Sequence, residues 1–228
     1  MLTEEALTAV PLFSGLNAEE TALVASRLRR RSFSEREVIV HRDGPGDALY
    51  ILTSGKVKVA CSGEDNETII ALMARGDFFG ELSILDGEGR SADVVALEPT
   101  EVLMLSADDF NRCLADMPGI AVSLLRQIAG RLRRSTSWIQ VLSSQDVYGR
   151  IAQQLLFLSD THGVDSPEGK RIALRLTQND LAGIVGASRE SVNKAMGYFK
   201  TKGYISVEAS SFHITIHDRA ALQKRCQS

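Results

Sequence analysis

A single carboxylate stands in a mostly apolar run of the sequence, and an arginine and a hydroxyl follow shortly after it. The carboxylate is Glu81, and the later pair is Arg90 and Ser91. A carboxylate in apolar surroundings is costly unless it is hydrogen-bonded, so Glu81 either faces the surface or meets a partner. A sugar hydroxyl would be such a partner, and Arg90 offers a planar fork suited to phosphate. Ser91 and free amides at the start of a short helix near Leu82 would complete an anion site.

The same residues have a second interpretation that needs no ligand. Glu81 and Arg90 could form an ion pair with each other, which would satisfy both charges internally. Residue types and spacing alone make this pair at least as good an explanation as a nucleotide.

A second group of polar residues, near the C-terminus, has the types that read DNA bases. Thr177 is placed to cap a short helix, Gly186 supplies the positive φ that ends it, and Ser188 caps the next helix. Two short helices joined by such a turn make a helix-turn-helix. The inward face of the second helix is predicted to be Val192, Ala195, Met196 and Phe199. Its other face carries side chains suited to guanine, cytosine and adenine edges, namely Arg189, Glu190, Asn193 and Lys194.

The segments around these groups predict the elements that hold them. Up to about residue 110, short alternating apolar runs and turn clusters indicate a barrel or double-sheet jelly roll. The strands are predicted at 38–40, 49–52, 56–59 and 68–72, after a helix that Asn17 and Glu20 would open as a capping box. Two runs, 203–207 and 212–216, are predicted to form a wing hairpin beyond the helix-turn-helix. Residues 161–169 are predicted to be a surface loop from their composition.

Between the two regions, the apolar period becomes helical and stays so for three heptads. The seam is Ala121, Leu125, Ile128, Leu132, Ser135, Ile139 and Leu142. Packing of the helix on its own domain would explain such a seam, but its length between two small domains favours a homodimer. A polar break follows at 143–146.

Composition and charge exclude several classes of protein. From Val147 to the end there are 11 Lys and Arg residues against 7 Asp and Glu, while the preceding part has 15 against 22. That asymmetry favours nucleic-acid contact by the C-terminal part. Three scattered cysteines fit a reducing cytoplasm, and no signal peptide or membrane span is expected. No P-loop, nucleophile elbow or metal motif occurs, so an enzyme or a transporter subunit is not supported.

The order of β-roll, long helix and winged helix resembles the CRP/FNR family of transcription regulators over essentially the whole chain. Local motifs resemble it as well: Gly80-Glu81-Leu82, Arg90-Ser91-Ala92, Gly149-Arg150-Ile151-Ala152 and Ile184-Val185-Gly186-Ala187-Ser188-Arg189-Glu190-Ser191-Val192. The resemblance implies an α+β protein with a cyclic-nucleotide-binding double-stranded β-helix at 1–117. It further implies a dimerisation helix and hinge at 118–145 and a winged helix-turn-helix at 146–228.

The resemblance also implies the ligand and its contacts. Glu81 would bind the ribose, and Arg90, Ser91 and the amides around Gly80 to Leu82 would bind the cyclic phosphate of cyclic AMP. Ser135 and Thr136 stand where cyclic AMP-responsive members carry hydroxyls that meet the adenine across the dimer. The implied ligand-binding residues are Gly80, Glu81, Leu82, Arg90, Ser91, Ser135 and Thr136. No metal, iron–sulfur cluster or haem is expected, because the N-terminal cysteine cluster of the iron–sulfur branch is missing.

For DNA, the resemblance implies a palindromic TGTGA-like site that is bound by a homodimer, with RNA polymerase as a partner through residues 161–169. The implied DNA-contacting residues are Thr177, Gln178, Ser188, Arg189, Glu190, Asn193 and Lys194. Two departures from the family pattern bear on specificity. The segment from Glu81 to Arg90 is one residue shorter than in the founding member, and Lys194 stands where a second base-reading arginine is usual. A regulator of the same fold with no effector, or with a different one, is the alternative.

Overall fold

The α+β class and the order of β-roll, long helix and winged helix predicted from the sequence are confirmed. The computed structural model describes residues 7–8, 10–63, 67–208 and 212–226. The chain forms two compact units, Met1–Arg134 and Ser135–Ser228. The division into 1–117, 118–145 and 146–228 stays a prediction.

The first unit contains two four-stranded antiparallel sheets, and residues of both sheets form a shared apolar cluster. The sheet orders are β1-β8-β3-β6 and β2-β7-β4-β5. The strands are β1 (Arg29–Phe33), β2 (Val38–Val40), β3 (Ala48–Ser54), β4 (Lys56–Ser62), β5 (Glu67–Ala74), β6 (Phe78–Phe79), β7 (Asp93–Ala96) and β8 (Thr100–Ser106). The helices are α1 (Ala18–Arg27), α2 (Leu82–Asp86), α3 (Ala107–Asp116) and α4 (Pro118–Ser144), the last of which continues into the second unit.

Local sequence signals account for several of these boundaries. Asn17 accepts from the Glu20 amide while the Glu20 carboxylate accepts from the Asn17 amide, so the predicted capping box opens α1. Each of the four predicted strands lies within an observed one. One of the turn clusters of the sequence, at 62–66, falls partly outside the described residues. Strand β3 is almost wholly buried because apolar clusters line both of its faces.

The second unit combines four helices with a four-stranded antiparallel sheet of order β11-β12-β10-β9. The helices besides the end of α4 are α5 (Val147–His162), α6 (Gln178–Val185), α7 (Arg189–Thr201) and α8 (Arg219–Arg225). The strands are β9 (Gly163–Ser166), β10 (Gly169–Ile172), β11 (Ile205–Val207) and β12 (Ile214–Ile216). The predicted wing hairpin is therefore present as β11 and β12, and its tip at 209–211 lies outside the described residues.

The prediction of a surface loop at 161–169 is wrong. Helix α5 runs to His162, and β9 pairs with β10 in an antiparallel hairpin. Strand β10 also pairs with β12, so backbone hydrogen bonds extend the sheet to β9 although that strand lacks an apolar alternation. Polar composition indicated exposure correctly, but exposure does not prevent edge pairing.

The long helix α4 leaves most of its heptad seam uncovered in a single chain. The exposed fractions are 67% for Leu125, 66% for Leu132 and 62% for Ile139. Ile128, by contrast, packs partly against the core of the first unit. With about 1.5 Å of rise per residue, the 27 residues of α4 span about 40 Å. The seam is thus an exposed apolar stripe along the longest helix of the chain.

Candidate functional site

Glu81 lies at the start of α2 with only 2% of its surface exposed. Arg131 of α4 reaches it, and its Nη1 donates to Glu81 Oε1 over 2.7 Å. The Arg131 guanidinium also lies 4.6 Å from the ring centroid of Phe78 and donates to the Phe78 carbonyl. The alternative of an ion pair between Glu81 and Arg90 is therefore wrong, because Glu81 pairs with Arg131. Nothing in the local sequence around Arg131 indicated this contact, because its partner Glu81 lies 50 residues earlier in the chain.

The second carboxylate oxygen of Glu81, unlike the first, accepts no hydrogen bond from the described residues. Oε2 is buried and has no hydrogen-bond partner among the residues that the structure describes. A buried acceptor in this state is costly, typically about 1–3 kcal/mol and more for a charged group. The site therefore offers one buried acceptor that a hydroxyl donor would satisfy.

Arg90 is buried at 4% exposure and is held entirely by protein groups. Its guanidinium has five N–H donors, and five contacts are present. The acceptors are Pro45 O (3.0 Å from Nε), Gly80 O (2.8 Å from Nη1), Ser83 Oγ (3.1 Å from Nη1), Ala48 O (2.8 Å from Nη2) and Asp47 Oδ1 (3.0 Å from Nη2). The charged acceptor is Asp47, whose side chain is 68% exposed. Arg90 is thus a structural residue in this state of the protein.

The loop between β2 and β3 folds over Arg90 by main-chain contacts as well. The Asp43 amide donates to the Arg90 carbonyl over 2.9 Å, and the Arg90 amide donates to the Gly44 carbonyl over 3.1 Å. Gly80 has a φ of +88°, and a Cβ there would lie 2.5 Å from Arg90 Nη1. Only glycine leaves room for the guanidinium at this turn. The position of Arg90 therefore depends on the loop and the glycine together.

The remaining predicted ligand residues are exposed. Ser91 follows Arg90, and its carbonyl accepts from Cys61 Sγ at 3.6 Å. Leu82 begins α2, and Ser135 and Thr136 lie on α4, the first of them one turn after Arg131. The structure thus brings Gly80, Glu81 and Arg90 together, while the roles of Ser91, Ser135 and Thr136 stay predictions.

The helix-turn-helix has the caps and the core that the sequence predicted. Thr177 Oγ1 accepts from the Asp180 amide over 3.1 Å, and the Asp180 carboxylate accepts from the Thr177 amide over 2.9 Å. Gly186 ends α6 at φ 61° and ψ 49°, and Ser188 caps α7. The predicted inward face of α7 is buried: Val192, Ala195, Met196 and Phe199.

The opposite face of α7 presents the predicted reading residues to solvent. Arg189, Glu190, Asn193 and Lys194 are all exposed. Lys194 Nζ lies 3.1 Å from Glu190 Oε1 as an i,i+4 pair. Such an exposed pair contributes little free energy, so it opens readily when DNA competes for either charge. The contacts of these residues with DNA stay predictions.

Arg150 joins the end of α4 to the helix-turn-helix. Its Nη2 donates to the Leu142 carbonyl over 2.8 Å, and its Nε donates to the Gln145 carbonyl over 3.0 Å. Its Nη1 also reaches two carbonyls at the end of α6, those of Val185 (3.5 Å) and Gly186 (3.4 Å). A cation stabilises the unpaired carbonyls at the C-terminal end of a helix, and Arg150 does so for two helices at once. The sequence analysis identified Arg150 only as part of the motif Gly149-Arg150-Ile151-Ala152 and did not predict these contacts.

Two further findings concern what the described residues do not contain. They include no group of three or more His, Cys, Asp or Glu side chains that could hold a metal ion. In the same part of the chain, no helix combines the length and the apolar character that crossing a bilayer requires.

Arg131→Met should lower the free energy of unfolding by about 2–4 kcal/mol, because it leaves the buried Glu81 carboxylate with neither oxygen paired. Methionine keeps the contact with the Phe78 ring, so urea denaturation without nucleotide isolates the loss of charge. The matched control is Arg133→Met, an exposed position on the same helix, and it should change little. Adding Glu81→Gln to Arg131→Met should restore much of the loss. Equal losses for the two arginine variants would contradict the assigned pair.

Comparison with known proteins adds an independent line of observation. Residues 30–117 match the cyclic nucleotide-binding domain family, and residues 149–225 match the Crp-like helix-turn-helix domain family. The chain is 35% identical over 223 residues to the CRP-like cAMP-activated global transcriptional regulator of Mycobacterium tuberculosis, covering 97% of this chain and 100% of the relative. It is 31% identical over 215 residues to the cyclic AMP receptor protein of Thermus thermophilus, covering 94% and 95%.

Solved structures show the same fold. The c-di-GMP responsive global regulator CLP of Xanthomonas campestris is similar with a TM-score of 0.77 and 22% identity, covering 88% of this chain and 99% of that one. The relatives are transcription regulators rather than enzymes, and the two matched domains supply a nucleotide-binding and a DNA-binding part. On this sequence identity and these domain matches, the chain belongs to the CRP/FNR family of transcription regulators.

Proposed function

We propose that this regulator binds cyclic AMP in the first unit and, as a homodimer, a palindromic TGTGA-like DNA site through the second. The observation that carries the proposal is the buried Oε2 of Glu81, an acceptor without a partner among the described residues. A ribose 2′-hydroxyl would donate to it. Glu81 Oε1 stays bonded to Arg131, so the carboxylate remains compensated while it receives the ligand.

The phosphate of the nucleotide would bind by exchange at Arg90. Asp47 supplies the charged acceptor on Nη2 and is exposed to solvent, so its carboxylate is the group that a phosphate would replace. The carbonyl contacts of Pro45 and Gly80 would hold the guanidinium during the exchange. Ser91 and the amides around Gly80 to Leu82 would complete the anion site.

Two relatives carry cyclic AMP in their names, which supports this nucleotide as the effector. The name of the Xanthomonas regulator specifies c-di-GMP, so the fold by itself does not select an effector. One observation favours the alternative of a regulator that needs no effector: all five Arg90 donors are satisfied by the protein alone. Binding measurements separate the two.

We expect cyclic AMP to bind more tightly than cyclic GMP in calorimetric titration of the full chain. Ser135→Ala combined with Thr136→Ala should weaken cyclic AMP binding about tenfold or more, because each lost hydrogen bond is worth about 0.5–1.5 kcal/mol. Ser137→Ala, an exposed neighbour on the same helix, is the control. The double variant should also lower ligand-stimulated DNA binding more than basal binding. Absence of heat with either nucleotide would argue for the alternative, a regulator with no effector or with a different one.

The homodimer is proposed to form through the exposed seam of α4. Leu125, Leu132 and Ile139 are large apolar side chains more than 60% exposed on one helix. Pairing two such helices would bury both stripes and place Ser135 and Thr136 at the interface. Nucleotide contacts made there would bias the packing of the helices, and Arg150 ties the end of α4 to α6.

Sedimentation at micromolar concentration should show a dimer for the wild-type chain and a monomer for Leu132→Glu. Leu132 is exposed in the single chain, so the charge should oppose association without disturbing the core. Ser137→Glu places the same charge off the seam and should leave the dimer intact. A monomeric wild-type chain would refute the proposed interface.

Each recognition helix α7 is proposed to read one half-site, with half-sites about 34 Å apart. Arg189 and Glu190 lie in the first turn of α7, where base edges are closest, and are assigned to the TGTGA-like core. Lys194 lies one turn further and donates as a flexible point charge. RNA polymerase is proposed to contact residues 161–169, which include β9 and the turn that leads into β10.

Glu190→Ala should relax specificity at one base pair of each half-site, with a loss of about 1–3 kcal/mol of discrimination. Lys194→Ala should instead weaken binding to all sequences evenly and reduce the salt dependence, as loss of a phosphate contact does. Selection from random DNA with both variants compares the two roles. An unchanged base preference for Glu190→Ala, or a lost position for Lys194→Ala, would reverse the assignment.

A further inference from the structure

An amide pair links the two helices of the helix-turn-helix on the side that is proposed to face DNA. Gln178 is the first residue of α6, and Asn193 lies in the second turn of α7. Gln178 Nε2 donates to Asn193 Oδ1 over 2.5 Å. Asn193 is exposed while Gln178 is half-buried. The less mobile side chain of Gln178 therefore orients that of Asn193.

Both ends of this contact rest on backbone that the structure fixes. The capping box of Thr177 and Asp180 holds the first turn of α6, and Asp180 itself is buried. The apolar faces of α6 and α7 lie buried in the same unit, and Ser188 caps the start of α7. The pair therefore joins two rigid elements rather than two mobile loops.

The direction of this hydrogen bond determines what Asn193 presents. An asparagine amide has one acceptor end and one donor end. The acceptor end, Oδ1, is turned toward Gln178, so the Nδ2 donors are turned away from it. A bidentate contact with adenine needs Oδ1 to accept from the N6 amino group while Nδ2 donates to N7. With Oδ1 occupied by Gln178, Asn193 would offer a base only donors, whereas adenine requires a donor and an acceptor.

We infer that Gln178 determines the base preference of Asn193, by making it present hydrogen-bond donors to the major groove. Such a donor favours base edges that carry acceptors, and guanine offers two adjacent ones, O6 and N7. Cytosine presents only its N4 donor there and is rejected. Gln178 is in this sense a positioning residue for specificity. The inference rests on the proposed DNA readout by α7.

The test is to reverse the orientation of the Asn193 amide by a nearly isosteric substitution of Gln178. Gln178→Glu has no donor, so its carboxylate would accept from Asn193 Nδ2 and turn Oδ1 toward the DNA. In selection from random DNA, the base contacted by Asn193 should change from guanine to a donor-bearing base, cytosine or adenine. We expect the relative affinity at that one position of each half-site to change by roughly tenfold or more. Adding Asn193→Ala should abolish the preference at that position.

The control must add the same charge without the contact. Asn179→Asp does so at the adjacent, exposed position of α6, so any general loss of affinity from a new negative charge appears in both variants. A preference that Gln178→Glu leaves unchanged, or that Asn179→Asp changes equally, would overturn the inference. Failure of the wild-type chain to select any sequence would instead contradict the proposed function, so the two failures are distinguishable.

Discussion

The burial of one carboxylate, that of Glu81, is the constraint on which the ligand-binding half of the molecule depends. A charged group at 2% exposure requires compensation. The compensation comes from Arg131, which lies on the long helix rather than in the β-roll. Because the carboxylate is compensated from α4, any group that contacts Glu81 also acts next to the helix that leads to the second unit. The charge of one buried side chain thereby joins the proposed nucleotide site to α4, the helix proposed to couple ligand binding to DNA binding.

The two candidate sites differ in whether their polar side chains are buried or exposed. The candidate nucleotide site is made of buried polar groups whose positions depend on each other: Gly80 leaves the space that Arg90 fills, and the loop at 43–47 closes over it. The candidate DNA-reading face consists of exposed side chains on helices α6 and α7, whose first turns are held by the caps of Thr177 and Ser188. Substitutions should therefore affect stability at the first site and specificity at the second. Arg150 differs from both sites, because it contacts backbone carbonyls. Substitution of its neighbours' side chains leaves these carbonyls in place.

Local signals in the sequence were sufficient for much of this structure. The capping box at Asn17, the cap at Thr177, the positive φ of Gly186 and the buried face of α7 are each determined within a few residues, and all were predicted. The hairpin at 163–172 was not, because its pairing comes from the neighbouring strand β12 rather than from its own pattern. The partners of Glu81 and Arg90 were also not predictable. Each lies more than 40 residues away in the chain, in Arg131 and Asp47, and only the fold brings these charges together.

The tethered carboxylate of Asp47 has a consequence for selectivity. Any anion that reaches Arg90 must first displace a competitor that belongs to the same chain and never diffuses away. A tethered group acts at a high effective concentration, which does not change with the composition of the surrounding solution. Inorganic phosphate and other simple anions would compete with Asp47 for Arg90 through their charge alone. A ligand that also satisfies Glu81 has a second source of binding energy. At the proposed site, the Asp47 carboxylate would therefore favour a ligand that contacts both Arg90 and Glu81 over a simple anion that contacts Arg90 alone.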